Sequence, residues 1–458
     1  MNASHVLVEA PASCTIRAVT LRLGVACVLV TYVVGCRDVL GIDNPVAVDA
    51  GASTDASDGP SVSSGAVHQV VVGSVDTCAV FGDGRAKCWG QGVGALGVRG
   101  CFSDFQRGAS LPYLDFGADI RVKQIVSGLN HLCALTVDGK VKCWGTNDSG
   151  QLGLGDDVTR GCAKMGDALP FVNLGGTVDS LAAGSKHTCA LLTDGNVKCW
   201  GGNSSGQLGL GHTQDVGKQS QDMGSALPAV SLGQKIVKEI VASEDYTCVR
   251  LVSGQAKCWG AGGPYLGAGD SRARGALADD MGDALTPVAP GFEVVSIAPA
   301  CATDAEGHGK CWGLVWGLGG NPFIGDENGE ISKMSFFDFG KEGRITKFAR
   351  YSNDICAIHE QALRCWGSNA NGQLGNGSTV GYGDDKTELL NGIVPVDLGA
   401  GRFATDVAVG PSHACAILDN GTLKCWGSNE FGELGLSGGR RGDEPGEMGD
   451  ALPTVELF

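Results

Sequence analysis

Thr188-Cys-Ala-Leu-Leu-Thr-Asp-Gly-Asn-Val-Lys-Cys-Trp-Gly201 is the stretch on which the reading of this chain turns. Residues 188–192 and 196–200 read as two short strands around a three-residue hairpin loop, Thr193-Asp194-Gly195. Folding about Asp194 sets Cys189 directly opposite Cys199. Cross-strand Cβ atoms at such a site come about 4.5–5.5 Å apart, within reach of a disulfide after local adjustment. The third loop position needs a left-handed backbone, which glycine adopts without steric cost, and Gly195 holds it. Gly84, Gly139, Gly254, Gly307 and Gly421 hold the same position in sister segments, so the register has independent support.

Those sister segments set the architecture. Cys-Trp-Gly occurs seven times, at Cys88, Cys143, Cys199, Cys258, Cys311, Cys365 and Cys425, with spacings of 55, 56, 59, 53, 54 and 60 residues. Self-similarity at such a period marks a solenoid, propeller or array. Each copy has an upstream partner: Cys78, Cys133, Cys189, Cys248, Cys301, Cys356 and Cys415. The separation is ten residues, except nine for Cys356 and Cys365, where Glu360-Gln361 forms a two-residue turn. The repeats fill residues 67–458, 392 residues at a mean period of 56, which leaves no room there for a second domain. Glycine, at 74 of 458 residues, fits a chain of many tight turns.

The meaning of nineteen cysteines depends on the compartment. Residues 1–35 carry Arg17 and Arg22 ahead of an apolar run over 23–34, too short for a comfortable bilayer span but suited to a signal-peptide core. The run ends Val33-Val34-Gly35-Cys36, which resembles the lipobox of bacterial lipoproteins and makes Cys36 the acylated terminus; the alternative is a plain cleaved signal with an incidental cysteine. Residues 36–66 follow as a tether, its 49–64 portion built of Ala, Ser, Asp, Gly and Pro with almost nothing to bury. An exported, membrane-anchored protein of the outer membrane or cell surface is therefore expected. In that setting the fourteen paired cysteines read as seven structural disulfides, and the Cys-x-x-Cys knuckles of zinc or redox sites are missing. His131, His187 and His413, each two residues before a cysteine, read as packed histidines rather than ligands.

The pattern His-x-Cys-Ala-Leu, Asp-Gly, Val-Lys-Cys-Trp-Gly, Asn-x-x-Gly-Gln-Leu-Gly resembles the repeat of the regulator of chromosome condensation family, in a cysteine-paired, exported form. Its second half is clearest in Trp144 to Gly153, Trp200 to Gly209, Trp366 to Gly375 and Trp426 to Gly435. The resemblance implies an all-β, seven-bladed β-propeller with four-stranded blades. Family members range from a nucleotide exchange factor on chromatin to a secreted inhibitor of β-lactamases, so fold does not fix function. A net charge of −16 opposes nucleic-acid binding.

About twenty residues separate each Leu-Gly from the next strand, long for a connection. These segments carry Asp156, Asp157, Asp326, Asp384, Asp385, Asp443 and Glu444. Two readings stand: calcium-stabilised loops, with Asp156, Asp157, Asp443 and Glu444 as candidates, or simply solvated loops. Without a calcium-loop spacing the second is favoured, and neither metal nor cofactor is expected. The glycine-rich blocks do not read as phosphate loops, since no helix pattern or Gly-Lys-Ser/Thr follows. Cys101 and Cys162 occupy equivalent loop positions and read either as a loop-to-loop bridge or as free thiols. Residues 454–458 are expected to complete the blade of the Cys78–Cys88 hairpin, so that the termini share one blade. The leading functional expectation is a monomeric interaction scaffold whose loops meet a protein or glycan. The competing one is an extracytoplasmic lyase or hydrolase working in the central pocket, although no catalytic motif is present.

Overall fold

The computed structural model describes residues 65–90, 108–161, 165–233, 236–315, 323–337, 339, 343–383 and 393–458, with three strands nearer the amino terminus. The chain divides into two compact units, Met1–Ser61 and Val62–Phe458. In the first, His5–Leu7, Thr15–Leu23 and Ala26–Val34 form an antiparallel sheet with Thr15 opposite Val34. Cys36, most of the tether, Cys101, Cys162, Asp384 and Asp385 lie outside the described residues.

The second unit is all-β. Its first three sheets are Val67–Val72, Asp76–Phe81, Ala86–Gly90; then Val122–Ser127, His131–Thr136, Val141–Gly145; then Val178–Ala183, His187–Leu192, Val197–Gly201. The fourth is Val237–Ser243, Tyr246–Leu251, Ala256–Gly260, Pro287–Val288, and the fifth Ser296–Ala298, Cys301–Thr303, Gly309–Cys311. After a two-stranded sheet of Gly313–Leu314 and Phe323–Ile324, the sixth disulfide-bridged sheet is Ile345–Tyr351, Asp354–His359, Ala362–Trp366, and the seventh Ala404–Val409, His413–Leu418, Leu423–Gly427. Among the described residues the sole α-helix is Glu330–Lys333.

Every hairpin keeps the expected register. Cys189 pairs with Cys199, Gly195 sits at φ 84°, and a disulfide joins the two with Cα atoms 4.1 Å apart. The other six pairs are bonded likewise. Glu360 and Gln361 take φ 49° and 69°, the mirror-image turn that a two-residue loop requires. Middle strands such as Asp76–Phe81 and His187–Leu192 are buried at all six positions, because neighbouring sheets cover both of their faces.

Two expectations are corrected. Four strands appear only in the fourth sheet; elsewhere the trailing segment holds its sheet by one backbone bond, as Val172 N–H to Val141 O and Val230 N–H to Val197 O, both 2.8 Å. Pro170 and Pro228 remove donors from these segments, which limits the ladder. The carboxy-terminal segment does not complete the Cys78–Cys88 sheet: Val455 N–H donates to Leu423 O of the seventh sheet at 2.8 Å, while Leu114 N–H serves Ala86 O of the first. Each Pro-x-Val segment is the last element of its own repeat, returning to the open edge it left, and not the first element of the next.

The first and seventh sheets nonetheless meet as other neighbours do. Lys142 Nζ donates to Phe116 O at 2.7 Å, Lys198 to Leu174 O at 2.9 Å and Lys424 to Leu398 O at 3.0 Å, each reaching the trailing segment of the preceding repeat. Lys87 makes the same bond to Leu457 O at 2.8 Å. One apolar core runs through Leu374 and Trp426 to Val455, Val67 and Trp89.

Candidate functional site

Beyond each Trp-Gly the chain leaves its sheet in a long loop, and a buried asparagine frames the best-ordered four. Asn147, Asn203, Asn369 and Asn429 accept the N–H of Leu152, Leu208, Leu374 and Leu434 at 2.9, 3.0, 2.9 and 3.1 Å. Their Nδ2 groups donate across the loop to Asp156 O, His212 O, Ser378 O and Gly438 O at 2.7, 2.7, 2.7 and 2.8 Å. Bridges at Gly145–Arg160, Gly201–Val216, Gly260–Arg274, Gly367–Tyr382 and Gly427–Arg441 close the bases.

The tryptophan of the next sheet then anchors the loop. Trp200, Trp259, Trp426 and Trp89 donate through Nε1 to the carbonyls of Gln151, Gln207, Gln373 and Glu433 at 2.9–3.0 Å. Gly153 lies so close to Trp200 that a Cβ there would fall 2.7 Å from the indole nitrogen. The loops are thus buttressed from within. Asparagine and glutamine side chains satisfy the backbone groups that water would otherwise have to reach. Asn-x-x-Gly-Gln-Leu-Gly, with Glu433 in place of glutamine in the fourth copy, carries this frame in its constant asparagine-to-leucine spacing, a signal the sequence reading missed.

The three histidines belong to these junctions. His131, His187 and His413 are fully buried, and their Nε2 atoms lie 2.9, 2.9 and 2.8 Å from the hydroxyls of Thr188, Thr247 and Thr77 on the next sheet. Each hydroxyl donates to a loop carbonyl, so the imidazole nitrogen carries the proton that it accepts. Burial pushes His131 down to about 4 and the other two to about 3, which keeps them neutral.

The calcium candidates are not brought together. Asp156 is forked by Arg160, which holds its carboxyl below the usual range, and Asp157 is exposed beside it. Asp443, 3.9 Å from Arg440, and exposed Glu444 stand in the loop of another sheet. Among the described residues the group compact enough for a cation is Asp304, Glu306 and His308, with ligand atoms within 4.8 Å. It was not anticipated, and Asp304 already accepts from His308 N–H and faces its Nδ1, both at 2.8 Å.

What the loops offer to solvent is apolar as well as acidic. Val158, Leu277, Phe323, Val380 and Phe431 are 45, 66, 45, 71 and 43% exposed, one on each of five loops. In the central cavity, by contrast, Glu239 and Lys347 are engaged with Arg250 and Asp406, both at 2.8 Å.

Comparison with known proteins agrees with this architecture. The regulator of chromosome condensation (RCC1) repeat matches residues 122–151, 178–207 and 404–433, and in a second form 138–191 and 365–417. The ultraviolet-B receptor UVR8 of Arabidopsis thaliana is 28% identical over 327 residues, 69% of this chain and 67% of the receptor. The E3 ubiquitin-protein ligase HERC2 of Homo sapiens is 26% identical over 328 residues, 69% of this chain but only 6% of that protein. A chain in the crystal structure of Kap60 bound to yeast RCC1 (Prp20) superposes with a TM-score of 0.56 at 18% identity, covering 90% of this chain and 91% of that one. The chain therefore carries repeats of the regulator of chromosome condensation (RCC1) family over the matched residues and shares the β-propeller fold of yeast RCC1.

Proposed function

We propose that this protein is an exported, lipid-anchored propeller of seven blades, held near a membrane by Cys36, and that it binds a protein partner through its loop face. Seven disulfide-bridged sheets, a recurrent lysine bond at the junctions and the same bond at the seam support a closed ring with three full strands and a reduced fourth in most blades. The observation that carries the binding role is the loop face: buried asparagines frame four loops, and five loops, three of them so framed, present a large exposed apolar side chain. Framed loops lose little conformational entropy on docking, and exposed apolar side chains supply the desolvation that anchors an interface. Yeast RCC1 has been solved bound to Kap60, which supports the use of such a propeller as a protein-binding body. The engagement of Glu239 and Lys347 in ion pairs favours binding over the lyase or hydrolase alternative.

Photo-crosslinking in the envelope tests the proposal. A benzophenone amino acid at Phe431 or Val380 should capture one defined partner, while the same group at Val252, an exposed hairpin-turn residue, should not. Capture from Val252 alone would overturn the loop-face assignment.

A further inference from the structure

The inner strands are tied to one another by a side-chain rung. Gln69 accepts Ile125 N–H at 2.9 Å and donates to Ile125 O at 3.0 Å. Gln124 repeats this on Leu181, at 2.9 and 3.1 Å. One primary carboxamide thus satisfies both polar groups of a residue whose N–H and C=O turn away from the middle strand, where Ile125 stands opposite Ala134 and Leu181 opposite Ala190. Glu239 makes half a rung, taking Ile297 N–H at 3.0 Å.

The rung fails at four of the seven junctions: at Lys347, which pairs with Asp406, at Asp406, which takes Val407 N–H of its own strand, and at two serines. The glutamine position is Ser180 in the third sheet and Ser296 in the fifth, and neither side chain bonds to the next inner strand. Ile240 and Phe348 stand in the same register, opposite Val249 and Ala357, and among the described residues no side chain bonds to their channel-side N–H and C=O. Both serine gaps open into one cavity of about 330 Å³. Ile125 and Leu181 are 0 and 2% exposed beneath glutamines; Ile240, Ile297 and Phe348, which lack a full rung, are each 7% exposed, and Val70 and Val407 4 and 3%. Lys238, which has no ion pair among the described residues, and Asp179, 3.9 Å from Lys123, line the same cavity.

We propose that this cavity binds a ligand bearing a primary carboxamide, seated on Ile240 as Gln124 is seated on Leu181. A carboxamide both donates to a C=O and accepts from an N–H on one edge; a carboxylate can only accept, and a trans secondary amide turns its two groups to opposite sides. Lys238 and Asp179 add a cation and an anion for the two ends of a free amino acid. Free glutamine or asparagine and the glutamine side chain of an inserted peptide share this chemistry. The site lies in the channel and does not rest on the loop-face reading.

Calorimetric titration of the full chain with L-glutamine, L-asparagine, L-glutamate, L-aspartate and acetyl-Gly-Gln-Gly N-methylamide tests the site. An amide should bind saturably and about tenfold or more tighter than its matching acid, as expected for one added hydrogen bond and relief of a carboxylate facing a carbonyl. Binding of the amino acids alone would identify a free amide as the ligand, and binding of the peptide alone a partner's side chain. Ser180→Gln, which supplies the missing rung from within, should retain or raise the melting temperature and abolish binding, while Ser180→Ala should still bind. Equal binding of amide and acid, no saturable binding of any of the five, or undiminished binding by Ser180→Gln would overturn the proposal. The amide–acid comparison on the unaltered chain decides the matter even if Ser180→Gln does not fold.

Discussion

Asp76 stands where other repeats place His131, His187 and His413, two residues before the first cysteine of the hairpin. It is 2% exposed, and its Oδ2 has no hydrogen-bond partner among the described residues. Burial pushes its carboxyl up to about 7, against 3.8 for an exposed aspartate. Because the folded state holds the proton more tightly than the unfolded chain, stability from this group is complete below pH 4 and is lost as pH rises toward 7. At roughly 1.4 kcal/mol per tenfold, the ionised carboxylate costs up to about 4 kcal/mol above pH 7. Asn is the shape of the neutral acid, so Asp76→Asn should match the parent near pH 4 and exceed it at pH 8. For a body of 392 residues unfolding as one unit, that gain corresponds to about 5 °C in melting temperature. Scanning calorimetry of both proteins from pH 4 to 8 provides the assay. An Asp76→Asn curve parallel to the parent's, with a constant offset, would refute the reasoning.

Cys189→Ala combined with Cys199→Ala opens a ten-residue loop and should lower stability by about 3 kcal/mol in denaturant titration under non-reducing conditions. Deleting residues 453–458 removes buried Val455 and Leu457, the Phe458 ring 5.0 Å from Phe81 and the Lys87–Leu457 bond; it should cost about 5 kcal/mol, whereas deleting tether residues 37–64 should change the melting temperature negligibly. Cys36→Ser should release the protein from membranes and abolish labelling by a fatty-acid probe, both read by fractionation of cells.

The strands and disulfides were legible because their determinants are local. Ten residues from Cys189 to Cys199, with glycine at the left-handed position, leave one register, and seven copies repeat it. The trailing segments were misassigned because Leu452-Pro-Thr-Val-Glu-Leu-Phe458 lies between two sheets in sequence, and only the spatial edge at Leu423 decides which it joins. The buttressing of the loops was not legible for a related reason. Asparagine and glutamine look like solvated turn residues until the backbone groups they satisfy are visible, and Asn203 meets His212 and Gln214 across a fold that spacing alone does not reveal. The glutamine rung was hidden altogether, since Gln69 and Ile125 lie 56 residues apart.

Hydrogen exchange of the full chain, with and without the partner captured through Phe431, tests the loop face most directly. Slowed exchange confined to the loops at residues 146–160, 368–382 and 428–441 is the predicted result. Protection falling instead on the hairpin turns around Val137 and Val252, with the loops unchanged, would contradict it.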